Sequence, residues 1–408
     1  MKRRYKILWW LLGTLGVALV GIRLVLSHES ACGNAPPIAE GAPTMKGWVH
    51  RCYGGPEILQ FEELAKPTPE DDSVIVKVRF ASVNPLDWHT LRGKPYFMRM
   101  DAGIGVPTES ELGVDFAGVV DSVGKSVTKF KPGDEVFGAR SGAFSEFVRV
   151  KESGNVVHKP ANASFEQAAA IPIAAITALQ ALRDNGQLKA GQKVLINGAS
   201  GGVGTFAVQI AKALGAEVTG VCSGRNVELV RSLGADHVID YTKEDFTKRE
   251  ERYDLIFDNV NNHSFSERRR VLKPDGICVL AGIGSAGLHR GQLARIAGNF
   301  TAVWRSRFVD QKFKSYVTAS NQADLKVLSD FLAEGKVTPF VEKTYALDQI
   351  ADALRYFEEG HARGKLVVKI GAVVASTGEL TSDEYIPATG FWATQPVRSV
   401  GLTREVNH

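Results

Sequence analysis

The run Asn197-Gly-Ala-Ser-Gly-Gly-Val-Gly204 brings four glycines and one serine into eight residues. A buried strand is predicted before this run and a helix after it. Such a turn exposes backbone N–H groups at the positive end of a helix dipole, where pyrophosphate binds. A Cβ at Gly201 or Gly202 would block the approach of the anion. The pattern therefore predicts a dinucleotide site, although Ala199 replaces the first glycine of the strict motif.

The end of the following strand distinguishes NADPH from NADH. Sites for NADH carry Asp or Glu there, because a carboxylate accepts a hydrogen bond from the ribose 2′-hydroxyl. Here the strand ends in Val221-Cys-Ser-Gly-Arg-Asn226, which has no carboxylate. The hydroxyl of Ser223 and the guanidinium of Arg225 suit a 2′-phosphate instead. We therefore expect NADPH as the cofactor; the alternative is that Arg225 only caps a solvated helix start.

Alternating strands and helices surround the glycine turn in residues 166–339. The predicted strands are 193–197, 217–222, 237–240, 253–260 and 276–282, and the predicted helices are 203–214, 226–233 and 324–335. This alternation predicts a parallel sheet that is doubly wound by right-handed crossovers. The glycine turn opens its first crossover.

Short strand-like runs between glycine turns fill residues 45–165, which predicts a compact, partly closed β-barrel. Residues 340–370 return to a strand, a helix and a final strand. The expected fold class is therefore α/β, with a β-barrel and a doubly wound sheet in one chain. Residues 31–44 are expected to form a linker and residues 371–408 a polar, loosely held tail.

Residues 1–30 have the pattern of a membrane anchor or a signal segment. A basic cluster precedes the apolar run 7–26, and 20 residues at about 1.5 Å each reach across a hydrocarbon core of about 30 Å. Signal peptides have a shorter apolar region of roughly 7–15 residues. We therefore expect a single-pass membrane helix; the alternative is a cleaved signal peptide, for which Ala31-Cys32-Gly33 offers a small-x-small cleavage site. The basic cluster favours export of the rest of the chain, whereas NADPH is cytosolic, so the side of the membrane stays open.

Composition excludes several classes of protein. The 408 residues are 44% hydrophobic and 23% charged, which is ordinary for a folded protein. A net charge of +4, from 49 basic and 45 acidic residues, is too balanced to indicate nucleic acid as a partner. The four cysteines include no close pair, from which we expect neither a disulfide framework nor a C-x-x-C metal site. A homo-oligomer is compatible with this composition.

The chain resembles the medium-chain dehydrogenase/reductase superfamily, in its zinc-free quinone oxidoreductase branch. The matching segments are Asn84-Pro-Leu-Asp-Trp-His-Thr-Leu-Arg-Gly93, residues 113–124, Ala169-Ala-Ile-Pro172 with Thr177-Ala178, residues 198–204 and Gly360-His-Ala-Arg-Gly-Lys365. The resemblance implies a GroES-like barrel of residues 45–165 with 340–370, an inserted Rossmann domain of residues 166–339, and a cofactor between them. It does not extend to residues 1–30 or 371–408.

The same resemblance implies the residues that contact the cofactor. They are Thr177, Ser200, Gly201, Gly202, Val203, Gly204, Ser223, Arg225, Tyr241, Asn259, Gly282, His361, Ala362 and Arg363. Those of the glycine turn would meet the pyrophosphate, and Tyr241 would join Ser223 and Arg225 at the 2′-phosphate. Asn259, Gly282 and residues 361–363 would line the nicotinamide half. Strand-end packing is the alternative for Tyr241 and Asn259.

Zinc is not expected. Zinc-dependent members of the superfamily have a cysteine at the position of Asn84 and a Gly-His-Glu motif where this chain has Gly113-Val-Asp115. Without a Lewis acid an alcohol does not lose hydride readily. The reaction is therefore expected to reduce an electrophilic small molecule with NADPH. Quinones and α,β-unsaturated carbonyls qualify, because conjugation delivers the developing charge to an oxygen that hydrogen bonds can stabilise.

Three residues of the 84–93 segment are candidates for catalysis. Asn84 is placed to donate to a carbonyl oxygen, and Asp87 to orient Asn84 or its own loop. His89 titrates near neutral pH and is suited to shuttle a proton, although packing beside Trp88 explains it equally well. Solvent is the alternative proton donor.

The expected function is a zinc-independent, NADPH-dependent reductase of a quinone or an α,β-unsaturated carbonyl. An NADPH-dependent enoyl thioester reductase is the alternative substrate class. A membrane-tethered NADPH-binding adaptor with little turnover is the alternative outside enzymes. Turnover with a panel of acceptors distinguishes the enzyme from the adaptor.

Overall fold

The computed structural model describes residues 14, 16–18, 20–281, 292–360 and 362–371, with only the backbone for residues 292–296. The strands are β1 (Thr44–Val49), β2 (Gln60–Ala65), β3 (Ser73–Val83), β4 (Asp115–Val123), β5 (Glu135–Ala139), β6 (Phe147–Lys151), β7 (Val156–His158), β8 (Lys193–Asn197), β9 (Glu217–Cys222), β10 (His237–Asp240), β11 (Tyr253–Asp258), β12 (Leu272–Ala281), β13 (Lys312–Tyr316), β14 (Val341–Ala346) and β15 (Lys365–Lys369). The principal helices are α1 (Pro85–Arg92), α2 (Arg99–Ala102), α3 (Phe165–Ala169), α4 (Pro172–Leu179), α5 (Gly202–Ala213), α6 (Val227–Ser232), α7 (Phe265–Arg270), α8 (Gln292–Arg305), α9 (Gln322–Ala333) and α10 (Ile350–Glu358). Short 3₁₀ turns and one π-helical turn after α4 connect them.

The barrel half is a strongly bent sheet in the order β14-β15-β3-β4-β5-β7, with β6 also paired to β3. Apolar side chains of the long strands, such as Val76 and Phe116, fill its interior. Strand β15 comes from the far end of the chain and pairs antiparallel with β3, with Leu366 opposite Val83. This pairing brings Lys365 to the end of β3, where α1 begins.

The second half is a parallel sheet in the order β10-β9-β8-β11-β12-β13. Its central strands are apolar and buried, as both faces of a parallel sheet are covered by helices. Asn197 at the end of β8 lies opposite Asp258 at the end of β11. The chain leaves β8 through α5 toward β9 on the other side, so this edge is the switch point of a Rossmann sheet. The expected α/β fold with a barrel and a doubly wound sheet is confirmed.

The expectation of a membrane-spanning helix is wrong, although residues 7–13, 15 and 19 of the predicted span lie outside the described residues. Among the described residues, no helix combines the length and the apolar character needed to cross a bilayer, for which about 20 residues are required. The helix that includes residues 20–26 ends before a turn at Ser27. Beyond it the chain is fixed to the barrel half, because the buried Arg99 donates to Leu26 O and His28 O at 3.3 and 3.0 Å and pairs with Glu29 at 3.0 Å. The expected polar tail lies outside the described residues from residue 372 onward.

The expectation that the four cysteines form no disulfide framework is also wrong, because Cys32 and Cys52 form a disulfide. Spacing along the chain gave no signal of it. The two residues meet because the segment before β1 folds back beside the residues after it, where Gly33 N–H donates to Arg51 O at 2.9 Å. The disulfide and Arg99 together attach residues 26–34 to the barrel half.

Candidate functional site

The turn after β8 is held by backbone contacts at the switch point. Gly198 has φ +87°, in the left-handed region that favours glycine, and its N–H donates to Val221 O at 3.1 Å. A Cβ at Gly204 would lie 2.0 Å from Gly198 O, so the first turn of α5 packs directly on the turn. At these two positions the protein itself requires glycine.

Gly201 has a different reason to be glycine. Among the described residues, a Cβ there would have only Gly198 O within 4 Å, at 3.5 Å, which is an ordinary contact. Gly201 is the N-cap of α5, so this free space adjoins the helix N-terminus. Ser200, Gly202 and Val203 are half-buried around it. These residues fit the pyrophosphate of a dinucleotide, because a side chain would fill the space in which backbone N–H groups reach the anion.

The end of β9 is connected to this turn by Asn226, which the sequence analysis did not identify. Its buried amide Nδ2 donates to Ser200 Oγ at 3.0 Å and to Ser223 Oγ at 3.1 Å. Arg225 is exposed, and Tyr241 is exposed with its N–H donated to the end of β9. The residues expected at the 2′-phosphate therefore border one surface. Asn226 stands in the Ser-Gly-Arg-Asn run, and this adjacency was its only sequence signal.

The loop after β11 is fixed by the carboxylate of Asp258. It accepts hydrogen bonds from Asn197 Nδ2 at 2.8 Å, from Arg268 Nε at 2.5 Å, and from the backbone N–H groups of Val260 and Asn261. Asn259 is half-buried in this loop beside Gly198. Gly282 and His361 lie outside the described residues.

The segment before β15 contacts both β14 and the glycine turn. Arg363 donates from its backbone N–H and from Nε to Glu342, at 2.7 and 2.9 Å. Gly364 N–H donates to Ser200 O at 2.9 Å, and Ala362 is half-buried next to them. This segment thus joins the barrel half to the candidate phosphate site.

Thr177 lies near the C-terminal end of α4. Its hydroxyl donates to Ile173 O at 2.8 Å and lies 2.9 Å from Thr318 Oγ1. The hydroxyl of Tyr316 donates to Thr177 O at 2.5 Å. Thr177 is half-buried and links α4 to the end of β13.

The mouth of the barrel contains a buried polar network around Asn84. Lys365 Nζ donates to Asn84 Oδ1 at 2.6 Å and to Val83 O at 3.2 Å, and lies 3.7 Å from Asp115 Oδ2. Asn84 Nδ2 donates to Asp115 Oδ2 at 2.9 Å and to Ser82 O at 3.2 Å. Every polar atom of the Asn84 amide therefore has a protein partner. Neither Nδ2 proton remains for a carbonyl oxygen while this network is intact.

Asp87 belongs to the first turn of α1 and is buried. Its Oδ2 accepts the Asn84 N–H at 2.7 Å, whereas Oδ1 has no hydrogen-bond partner among the described residues. Burial raises the pKa of Asp87 to about 8, with the hydrogen bond from Asn84 opposing the rise and the charge of Asp115 adding to it. Burial also raises the pKa of Asp115 and lowers the pKa of Lys365, and the ion pair counteracts both changes.

His89 is also buried. Its Nδ1–H donates to Lys94 O at 2.7 Å, and its ring packs edge-on against Trp88 at 5.0 Å between centroids. Burial lowers the pKa of His89, and the hydrogen bond to Lys94 opposes this change. The environment therefore favours a neutral ring that supports the turn after α1.

Sequence analysis missed Lys365 and Asp115 as site residues. Both stand in segments that carry the family resemblance, and each is a charged residue at the start of a buried strand. Among the described residues, no group of three His, Cys, Asp or Glu side chains is placed to hold a metal ion. The Lys365 ammonium already lies between Asn84 and Asp115, so these donors do not fit an added cation.

Comparisons with known proteins agree with this architecture. The family model for the alcohol dehydrogenase GroES-like domain matches residues 70–161, and that for zinc-binding dehydrogenase matches residues 233–368. The mouse protein NAD(P)H oxidoreductase RTN4IP1, mitochondrial, is 36% identical over 365 residues, covering 80% of this chain and 89% of its own. The NADPH-dependent alkenal/one oxidoreductase, chloroplastic, of Arabidopsis thaliana is 34% identical, covering 83% of each chain. The solved quinone oxidoreductase from Coxiella burnetii superimposes with a TM-score of 0.70 at 27% identity, over 81% of this chain and 100% of that one.

Proposed function

Because this chain belongs to the medium-chain dehydrogenase/reductase superfamily, we propose that it is an NADPH-dependent oxidoreductase that reduces a quinone or an α,β-unsaturated carbonyl. The observation that carries the proposal is the free space at Gly201, at the N-terminus of α5 and at the switch point of the sheet. The names of the mouse, plant and bacterial relatives support the cofactor and the two acceptor classes.

In this proposal the Rossmann domain, residues 166–339, binds the cofactor, and the GroES-like domain, residues 45–165 with 340–370, receives the acceptor. Bound NADPH supplies the hydride. The glycine turn binds the pyrophosphate, while Ser223, Arg225 and Tyr241 bind the 2′-phosphate. Thr177, Asn259 and residues 361–363 line the nicotinamide half with Gly282.

The geometry of the barrel mouth changes the roles that we propose for its three polar residues. Asn84 forms a fixed wall of the acceptor site, since its amide is fully engaged by Lys365, Asp115 and Ser82 O. Asp87 holds a proton at neutral pH and stabilises the start of α1. His89 supports the turn after α1, and the product takes its proton from solvent.

The test is steady-state oxidation of NADPH with a panel of quinones, enones and enoyl thioesters. We expect turnover with at least one quinone or enone and little with enoyl thioesters. A preference for enoyl thioesters would instead support the alternative substrate class. Tight NADPH binding without turnover of any acceptor would contradict the proposed enzymatic activity and support an NADPH-binding adaptor.

A further inference from the structure

The segment leading into β15 contacts both the glycine turn and the barrel mouth. On the cofactor side, Gly364 N–H donates to Ser200 O at 2.9 Å, and a Cβ at Gly202 would lie 3.5 Å from Lys365 Cδ. On the acceptor side, Lys365 Nζ donates to Asn84 Oδ1 at 2.6 Å. Two consecutive residues, Gly364 and Lys365, therefore connect the glycine turn of residues 197–204, here called the phosphate loop, to Asn84, the N-cap of α1.

At the barrel mouth, the side chains of this connection are buried. Lys365, Asn84 and Asp115 are 3%, 1% and 0% exposed, so water does not replace their contacts. Lys365 also donates to Val83 O, the last carbonyl of β3, which fixes the backbone immediately before α1. Asp115 holds the other end of the Asn84 amide, and its Oδ1 accepts the backbone N–H of Ile173 in α4 at 3.1 Å. The network thus ties the barrel mouth to the helix layer of the Rossmann half as well.

We propose that Lys365 is a positioning residue that sets the distance between the phosphate loop and the acceptor wall at the start of α1. The inference rests on the proposed function, because it concerns the geometry of hydride transfer between those two walls. A displacement of about 1 Å of a reacting group costs on the order of 100-fold in rate. Removing Lys365 should therefore lower kcat with little effect on the KM for NADPH.

A merely structural ion pair would give a similar loss in a single variant, since Lys365→Met leaves the Asp115 charge buried without compensation. The experiment therefore uses Lys365→Met, Asp115→Asn and the double variant, in which both charges are absent. Lys369→Met is the matched control, because Lys369 lies on the same strand and is exposed. Thermal unfolding, kcat, the KM for NADPH and the isotope effect with 4-deuterated NADPH are measured for each.

We expect Lys365→Met to unfold at a lower temperature and the double variant to recover most of that loss. The double variant should still have a kcat at least about tenfold below wild type, a KM for NADPH within about twofold, and a larger isotope effect. Lys369→Met should match wild type. A double variant that regains full kcat together with its stability would overturn the proposal, because the pair would then be structural only.

Hydrogen exchange separates this proposal from the proposed function. If the wild type turns over no acceptor, the proposed function is wrong. Hydrogen exchange still measures the connection between the phosphate loop and the barrel mouth in that case. In the double variant, faster exchange at both the Gly364 amide, which donates to Ser200 O, and the Asn84 amide, which donates to Asp87 Oδ2, supports it. Unchanged exchange at either place contradicts it.

Discussion

The phosphate loop and the barrel mouth are both contacted by the segment that leads into β15, but they are assembled differently. The loop is made by consecutive residues, and its key contact joins Gly204 to Gly198. The mouth depends on Lys365 and Asn84, which are 281 positions apart along the chain. The loop uses backbone groups and empty space, whereas the mouth uses buried charges. A contiguous sequence motif can therefore predict the phosphate loop but not the buried network of the barrel mouth.

Gly201→Val should have the largest effect on the loop. The side chain fills the free space at the N-terminus of α5, and two lost charge-assisted hydrogen bonds of about 1.5–3 kcal/mol each weaken NADPH binding at least 100-fold. Fluorescence titration measures the dissociation constant, and Gly201→Ala should give an intermediate value. Gly298→Ala in α8 is the control, because no atom of the described part of the chain lies within 4 Å of a Cβ at this position. Unchanged NADPH affinity in Gly201→Val would remove the phosphate site from this turn.

Elements determined by consecutive residues could be predicted from the sequence, whereas those determined by long-range pairing could not. Strands β8, β9 and β10 occupy the expected residues, because each is a short apolar run bounded by glycine or polar residues. Helix α8 and strand β13 were not expected, and β13 has the mixed sequence Lys-Phe-Lys-Ser-Tyr that suits the edge of a sheet. The Lys365 network required the pairing of β15 with β3, which no local pattern specifies.

The N-terminal segment shows how a local pattern misleads. Hydropathy of residues 7–26 predicted a membrane span, whereas no helix of the described residues is long and apolar enough to cross a bilayer. The residues that follow make long-range contacts, which hydropathy does not register. There Arg99, with its guanidinium 4.1 Å from the ring of Tyr53, holds the backbone after Leu26 against the barrel half. The Cys32–Cys52 disulfide is equally invisible to a search for close cysteine spacing.

Cys32→Ser tests how strongly the barrel half depends on this long-range attachment. Opening a loop of 20 residues restores entropy to the unfolded chain, which should lower the free energy of unfolding by about 3 kcal/mol. Denaturant unfolding measures the change. A reducing agent should lower the free energy of unfolding of wild type to that of the variant and leave the value of the variant unchanged. Equal stability of both proteins would mean that Arg99 alone secures the segment.

Asp87→Asn tests the buried charges of the mouth through pH. Asp87 has a pKa of about 8 when folded, against its ordinary 3.8, so the folded state binds one more proton between these values. Its contribution to stability is complete below the lower pKa and is lost as the pH rises through the upper one, at about 1.4 kcal/mol per unit. Wild type should therefore lose about 2 kcal/mol relative to Asp87→Asn between about pH 6 and about pH 8. Urea unfolding at both pH values measures this difference, and parallel curves would exclude a protonated Asp87.

Arg225→Ala, which changes a residue beside the phosphate loop, should have the smallest effect on NADPH affinity. Because Arg225 is exposed, its contact with a 2′-phosphate should contribute about 1.5 kcal/mol, or about tenfold in NADPH affinity. NADH lacks that phosphate and should bind the variant as it binds wild type.

Titrations with both cofactors separate specificity from general attraction. Arg231→Ala removes the same charge from the exposed face of α6, where Arg231 pairs with Glu228, and should weaken neither cofactor measurably. If Arg225→Ala weakens the binding of NADPH and NADH equally, Arg225 maintains the shape of the loop and does not contact the 2′-phosphate. A selective loss of NADPH affinity would mean that one exposed side chain determines the choice of cofactor. Cofactor specificity would then be set independently of the buried contacts of Lys365 that we propose to align the phosphate loop with the barrel mouth.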